Sequence, residues 1–250
     1  MTDNWEPPYE LEERIKYALV PPSLYIRRLA AKELRKGERE LRLLPFLVDR
    51  TKASIDVGAN KGVYTYFLGR LTTKVHAFEP NPKIFRILNR SLPDNVSTYQ
   101  VALSNQVGSA DLLVPGSDGR FSNQGASLSQ IKVQGPHQIV HVQAQTLDHY
   151  NFSNVGFIKI DVEGYEKEVL EGAQQTIERE KPVLLIEMEE KHTKEPIEQS
   201  IQFVLGMGYM GMFLEAERLR PITHFEPERN HRSANNTQDE YVFNFVFFPK

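Results

Sequence analysis

Ile55-Asp56-Val57-Gly58-Ala59-Asn60-Lys61-Gly62 stands where a short apolar run, residues 53–57, gives way to a helical stretch, residues 61–71. Gly58 lets the backbone approach a ligand closely, and Gly62 permits tight packing at the helix start. The helix N-terminus then offers unpaired N–H groups to a polar or anionic ligand. A second apolar run, 75–78, leads into Glu79-Pro80-Asn81-Pro82. Glu79 follows Gly58 by 21 residues, the distance at which α/β nucleotide folds place a carboxylate for ribose hydroxyls. Val57 and Ala59 flank a single glycine, so the loop is not a G-x-G-x-x-G, and no G-K-[ST] follows to make a Walker A. Such a loop suits an adenosyl ligand without a pyrophosphate.

Outward from this loop, short apolar runs alternate with helical stretches. Residues 53–57, 75–78, 96–101, 157–160 and 183–187 read as strands, and 61–71, 83–92 and 166–180 as helices. The alternation predicts βαβ units and a mostly parallel sheet covered on both faces. Two stretches break the rhythm. Runs at 110–114 and 139–142 flank a Gly/Ser/Gln-rich segment, 116–135, and predict an inserted hairpin. Runs at 209–214 and 241–248 are joined by a polar segment, 221–240. Long segments of this kind in a compact domain are commonly functional or disordered, and both are expected to be mobile and to help form or cover a substrate site. Residues 11–48 are helical in character, with a break at Gly37. Their basic run from Arg27 to Arg42 reads as a solvated face or a weak anion-facing patch.

Composition narrows the function. The 250 residues are 40% hydrophobic, enough for one sizeable core. A net charge of −3 argues against a dedicated nucleic-acid binder. With no cysteine, thiolate metal sites, disulfides and cysteine nucleophiles are excluded. The start, MTDNWEPPYE, lacks the order of a secretory signal, and no apolar run approaches the ~20 residues that span a bilayer. The expectation is a cytoplasmic protein without a transmembrane segment, with a homodimer as the default assembly.

Two acidic pairs end later strands. Asp161 and Glu163 lie two apart in Lys159-Ile160-Asp161-Val162-Glu163-Gly164, and Glu187 and Glu189 are related in the same way after the next apolar run. Ligands of open α/β sheets bind outside the carboxyl ends of the strands, so both pairs converge on the ligand site. Their mutual repulsion has to be offset by a positively charged ligand, a bound cation, a raised pKa, or Lys159, Lys61 and Lys191. His192 is the attractive general base, because an ordinary imidazole titrates near neutrality. Glu187 or Asp161 would serve instead. The oxygen-rich set also suits Mg²⁺, although no residue is assigned as a metal ligand, and no H-x-H or H-E-x-x-H pattern suggests zinc.

The ordered runs IDVGANKGVYT, FEPNP, VALSN and FIKIDVEGYEKEVLEGA resemble the FkbM family of S-adenosylmethionine-dependent methyltransferases, over roughly residues 54–190. The resemblance implies an α/β, Rossmann-like class I methyltransferase fold: a seven-stranded sheet, parallel except for its last strand, with helices on both faces. Residues 1–50 would then be a helical extension packed on the core, and residues 51–250 the methyltransferase domain with its inserted β-hairpin. Asp56, Gly58, Asn60 and Gly62 would match the loop around the methionine part of the cofactor. Glu79 would bind the ribose hydroxyls, with Pro80 and Asn81 beside the adenosine. Ala102 would lie near the adenine with Ser104 nearby, and Asp161 would sit between cofactor and acceptor. The expected activity is O-methylation of a sugar hydroxyl on a glycan or glycosylated metabolite, and because Asp161 and Glu187 would close adjacent strands with His192 a few residues on, Asp161, Glu163, Glu187 and His192 are expected around the acceptor oxygen. The competing readings are an NAD-dependent oxidoreductase on a doubly wound fold and a non-catalytic cofactor-binding protein.

Overall fold

The structure is a computed structural model and describes residues 5–90, 92–117, 120–122, 125–232 and 241–250. Its axis is β1 (Ala53–Val57), buried at all five positions. Parallel to it run β2 (Lys74–Phe78) and β3 (Val96–Tyr99) on one side. On the other side lie β8 (Val155–Ile160) and β9 (Val183–Glu187), also parallel. β12 (Asn244–Pro249) then pairs antiparallel with β9, β10 (Tyr209–Glu215) antiparallel with β12, and β11 (Arg218–Pro221) antiparallel with β10.

The sheet therefore has eight strands in the order β11-β10-β12-β9-β8-β1-β2-β3, one more than the resemblance implies. The extra strand follows from a two-residue turn. Ala216 and Glu217 both have positive φ, 45° and 62°, the twist that lets a strand fold straight back on its neighbour. Ala-Glu carries none of the usual Asn-Gly signal for such a turn, so the strand is invisible in the sequence. As the edge, β11 carries Arg218, Arg220 and Pro221, which discourage further pairing.

Neighbouring residues on the central strands face opposite layers. Val75, Phe157, Leu185 and Val246 meet Leu44 and Leu68 of α3 (Leu44–Leu47) and α4 (Val63–Leu71). Ile158, Leu184 and Phe245 meet Val169, Ile177 and Ile201. These belong to α6 (Glu166–Glu171), α7 (Gln174–Glu180) and α8 (Ile197–Gly206). The helix expected over 166–180 is thus two helices. Gly172 stands at the break, where the chain lies so close to Ser104 that a Cβ would stand 2.0 Å from the Ser104 carbonyl oxygen.

The insertion is more than a hairpin. β5 (Gly108–Ser117) and β7 (His137–Gln145) pair antiparallel, as expected. They are joined by β4 (Ala102–Leu103) and β6 (Arg120–Phe121) into a second, four-stranded sheet ordered β4-β7-β5-β6. The strand expected over 96–101 ends at Tyr99, and the chain then crosses to this second sheet as β4. Residues 118, 119, 123, 124 and 233–240, within the two long segments expected to cover an acceptor site, lie outside the described residues.

The N-terminal segment forms α1 (Leu11–Leu19) and α2 (Pro22–Lys36), the latter ending at Gly37. It lies across α5 (Pro82–Leu88), held by the buried Lys83, whose Nζ is 2.6 Å from Glu13 Oε2 and 2.8 Å from the Pro8 carbonyl. Trp5 packs edge-on against Phe121 of the second sheet at 4.8 Å between ring centres. No helix among the described residues is long and apolar enough to cross a membrane.

Candidate active site

The carboxyl ends of β1, β2 and β8 open into a cleft of about 680 Å³, its mouth included. Gly58, Asn60, Glu79, Pro80, Ala102 and Asp161 line it, as does Glu163. Apolar walls come from Phe78, Val101 and Leu112. Glu79 organises the floor. Its Oε2 accepts from the Asn60 N–H at 2.9 Å and its Oε1 from the Asn81 N–H at 2.8 Å. One carboxylate thus ties the glycine loop to the end of β2 while each oxygen keeps lone-pair capacity for a further donor. Burial pushes the Glu79 carboxyl up to about 7, against the lowering effect of those two N–H groups.

Four other residues expected at the cofactor build the walls rather than line the cleft. Asp56 is buried and accepts from Thr65 Oγ1 at 2.6 Å, with burial raising its carboxyl to about 6. Gly62 starts α4 at φ 87°, with Leu88 2.7 Å from where a Cβ would stand. The Asn81 side chain caps α5, accepting from the Lys83 and Ile84 N–H groups at 3.1 and 3.4 Å. Ser104 is buried beneath Gly172.

Beside the cleft the acidic residues do converge. Glu163, Glu187 and His192 have ligand atoms within 4.8 Å of one another, and so do Glu38, Asp161 and Glu187. Glu163 pairs with Lys132, and Asp161 Oδ2 lies 2.8 Å from Nζ of the fully buried Lys159. Lys191 sits 2.5 Å from Glu189, which also accepts from the Tyr241 hydroxyl at 2.6 Å. Lys61, the third lysine expected to offset the acidic pairs, instead borders a separate crevice with Gly62 and Tyr25. His192 is buried, its Nε2 3.3 Å from Glu163 Oε2 and 3.7 Å from Glu189 Oε1. Burial, aided by the nearby Lys132 charge, drives its pKa down to about 4. Burial and the Asp161 charge hold Glu187 well above the ordinary carboxylate range.

Sequence reasoning missed three participants. Glu38, just after Gly37, reaches the cluster from the N-terminal segment. Its Oε2 accepts from the Tyr64 hydroxyl at 2.6 Å and from Asn244 Nδ2 at 3.1 Å. Tyr64 stands on α4, and its ring lies 4.7 Å from Lys159 Nζ. Asn244 is the strand partner of Glu187. Nothing in a charged helical run distinguishes Glu38 from its solvated neighbours, and the other two look like ordinary helix and strand residues.

A methyltransferase FkbM domain matches residues 56–215. Among solved structures, the methyltransferase FkbM of Methylobacillus flagellatus is 14% identical with a TM-score of 0.51, covering 80% of this chain. The chain spans 44% of that protein's length. An rRNA methylase of Streptococcus thermophilus is 12% identical with a TM-score of 0.47, covering 84% of this chain and 94% of its own. A TehB-like methyltransferase of Corynebacterium glutamicum is 13% identical with a TM-score of 0.45, covering 92% and 98%. No curated protein matches the sequence. The glycine loop, the carboxylate after β2, the strand order and the domain match agree: this chain belongs to the FkbM family of S-adenosylmethionine-dependent methyltransferases.

Proposed function

We propose that the protein methylates a sugar hydroxyl of a glycan or glycosylated metabolite. S-adenosylmethionine would lie across Gly58, Asn60, Glu79 and Ala102. The observation that carries the cofactor's placement is Asn60 Oδ1, buried on the cleft wall and without a hydrogen-bond partner among the described residues. An orphaned acceptor of this kind costs about 1–3 kcal/mol unless a ligand donor meets it. Glu79 has the spare lone pairs that a ribose diol needs. When bound, the cofactor supplies a sulfonium methyl group, which leaves its sulfur as the acceptor oxygen bonds to it.

The support for a polyhydroxylated acceptor is the neighbouring cavity, about 1600 Å³ with its mouth included, which shares Leu128 and Tyr165 with the cleft. Ser129, Gln130, Gln199 and Gln202 offer hydrogen bonds there, while Tyr165 and Phe203 offer flat apolar faces. Asp161, Glu163, Glu187 and His192 would surround the reacting hydroxyl at the edge of the cleft, Asp161 and Glu163 from its lining and Glu187 and His192 from beside it. His192 is neutral at pH 7 and takes the hydroxyl proton at whichever ring nitrogen is unprotonated. An imidazole with so low a pKa is a weak base, however, and removes a proton from an alcohol only when something raises that alcohol's acidity.

The test is incubation with methyl-labelled S-adenosylmethionine and a panel of glycans, with the products read by mass spectrometry. Label on a sugar oxygen supports the reading. Transfer to a base, protein or small amine, with glycans untouched, would replace it.

A further inference from the structure

We propose that the outward faces of α1 and α2 seat the protein on an anionic lipid surface. Leu11, Ile15 and Leu19 enter the acyl boundary, and the arginines and lysines of both helices meet phosphate headgroups. The claim goes beyond methyl transfer and does not depend on it.

The first observation is that α1 is mounted with its polar side inward. A surface helix ordinarily turns its apolar stripe to the core. Here Leu11, Ile15 and Leu19 recur every four residues along one side and are 71%, 51% and 77% exposed. They form a row about 12 Å long. Glu13 and Tyr17, two positions either side of Ile15, stand about 160° from it around the helix. These two hold α1 to the protein. Glu13 pairs with Lys83, and the Arg90 guanidinium lies 5.1 Å from the Tyr17 ring centre and donates to the Tyr17 carbonyl. No residue of α1 is buried. Single exposed leucines are ordinary, but three apolar residues in one row, facing away from the protein, mark a surface that something covers.

The second observation is charge. Residues 11–36 hold seven basic and three acidic residues, a net +4 in a chain of net −3, which leaves −7 on the remainder. α2 turns Ile26 and Ala30 inward and leaves Arg27, Arg28, Lys32 and Arg35 exposed, with the exposed Leu24 near its start. Arg14 and Lys16 flank the apolar row on α1, and Glu12 is the only acidic residue of the two helices that is exposed rather than half-buried. Arg14, Arg27 and Arg28 form no ion pair among the described residues. The Tyr17 and Tyr25 rings meet edge to face at 5.4 Å and tie the two helices together. α1 is held on α5 and α2 packs on α4, so both outward faces belong to the outer layer on that side of the sheet.

These features select the occupant. A second copy using the same face would set one +4 patch against another, which like-charge repulsion opposes. Protein partners are anchored chiefly by aromatic residues and arginines in pockets, whereas this row is aliphatic and stands on the convex face of a helix. Aliphatic side chains at the acyl boundary, with basic residues at headgroup level, are how interfacial helices bind anionic bilayers.

Co-sedimentation of the full chain with vesicles tests the proposal. One set is phosphatidylcholine alone, the other phosphatidylcholine and phosphatidylglycerol at about two to one. Binding to the anionic set should be at least about tenfold tighter, and should weaken as salt rises. Leu11→Gln with Leu19→Gln should weaken it at least about tenfold. Arg27→Gln with Arg28→Gln should do so by about tenfold. All four side chains are exposed, so both variants should melt at the wild-type temperature. Met210→Gln, equally exposed but on β10 towards the opposite edge of the sheet, should bind as the wild type does. The proposal is overturned if the wild type ignores anionic vesicles, binds neutral ones as tightly, or is matched by the leucine variant. Sedimentation velocity then reads the other occupants. A wild-type dimer that the leucine variant turns into a monomer assigns the row to a second copy. A monomer that ignores vesicles leaves a protein partner. Vesicle binding is measured without cofactor or acceptor, so its failure is distinct from a failure of the methyl-transfer reading.

Discussion

Gly58 lies directly against the carbonyl of Asp161: a Cβ at position 58 would stand 1.8 Å from that oxygen. The glycine loop and the end of β8 are thus fitted to each other, and Gly58 also sits at φ 77°, a conformation other residues adopt at a cost. Gly58→Ala should destabilise the fold by about 1–3 kcal/mol or more through overpacking and backbone strain together. Denaturant unfolding checks this, and an unchanged midpoint would contradict the close approach.

Asn60 separates a ligand role from a structural one. Its φ of 48° suits glycine as well as asparagine, so Asn60→Gly should keep the loop while deleting the orphaned Oδ1. Calorimetry with S-adenosylhomocysteine should show a loss of about 1 kcal/mol, one neutral hydrogen bond. Wild-type affinity would mean that Oδ1 does not face the cofactor.

For Glu79 the expected loss is larger. Glu79→Ala should cost on the order of 2–4 kcal/mol in cofactor affinity, because bonds to a charged group are the strong ones. The pH dependence has a definite sign. Burial raises this carboxyl to about 7, and ribose hydroxyls bond best to its ionised form. Affinity should therefore fall as pH drops below about 7, by up to tenfold per unit. Titration calorimetry at pH 6 and pH 8 decides it, and equal affinities would sink the assignment.

Stability without ligand should run the other way. Burial raises Asp56 to about 6 and Glu40, Glu79 and Glu166 to about 7. A raised carboxyl binds its proton more tightly folded than unfolded, so it favours the fold at low pH and loses that contribution as pH rises from ~4 to ~7. Burial lowers His76 and His192 to about 4, and these two act oppositely between pH ~4 and ~6.5. Four raised carboxyls outweigh two histidines. Thermal melts should give a higher Tm at pH 5.5 than at pH 7.5; the reverse order would show that these groups are not buried as described.

His192→Ala should lower kcat by about 10²-fold or more while leaving cofactor affinity intact. Because burial lowers this imidazole to about 4, the kcat profile at saturating substrates should show no acid limb near 6.5. Steady-state kinetics over pH 5–8 tests both statements. Unchanged turnover in the variant would transfer the base to Glu187 or Asp161.

The parallel half of the sheet was legible because its cause is local. Strands buried on both faces are apolar at most positions, so residues 53–57, 157–160 and 183–187 announce themselves despite the polar Ser54, Asp56, Lys159 and Glu187 among them. The glycine loop and Glu79 were legible for the same reason: close backbone approach and a strand-end carboxylate restrict residue type at fixed spacing. What tertiary structure alone decided depends on residues far apart in the chain. β11 exists through the backbone of Ala216 and Glu217, not through any turn signature. Position 172, where the helix divides, has room only for glycine because Ser104, some seventy residues earlier, occupies the space beside it. Asp56 and Ser104 carry the right residue types but turn into the core, since a side chain's direction is set by what packs around it. Glu38 meets Asp161 and Glu187 only because the N-terminal segment folds back over α4 and β12, and a charged residue in a charged helical run bears no mark of that long-range encounter.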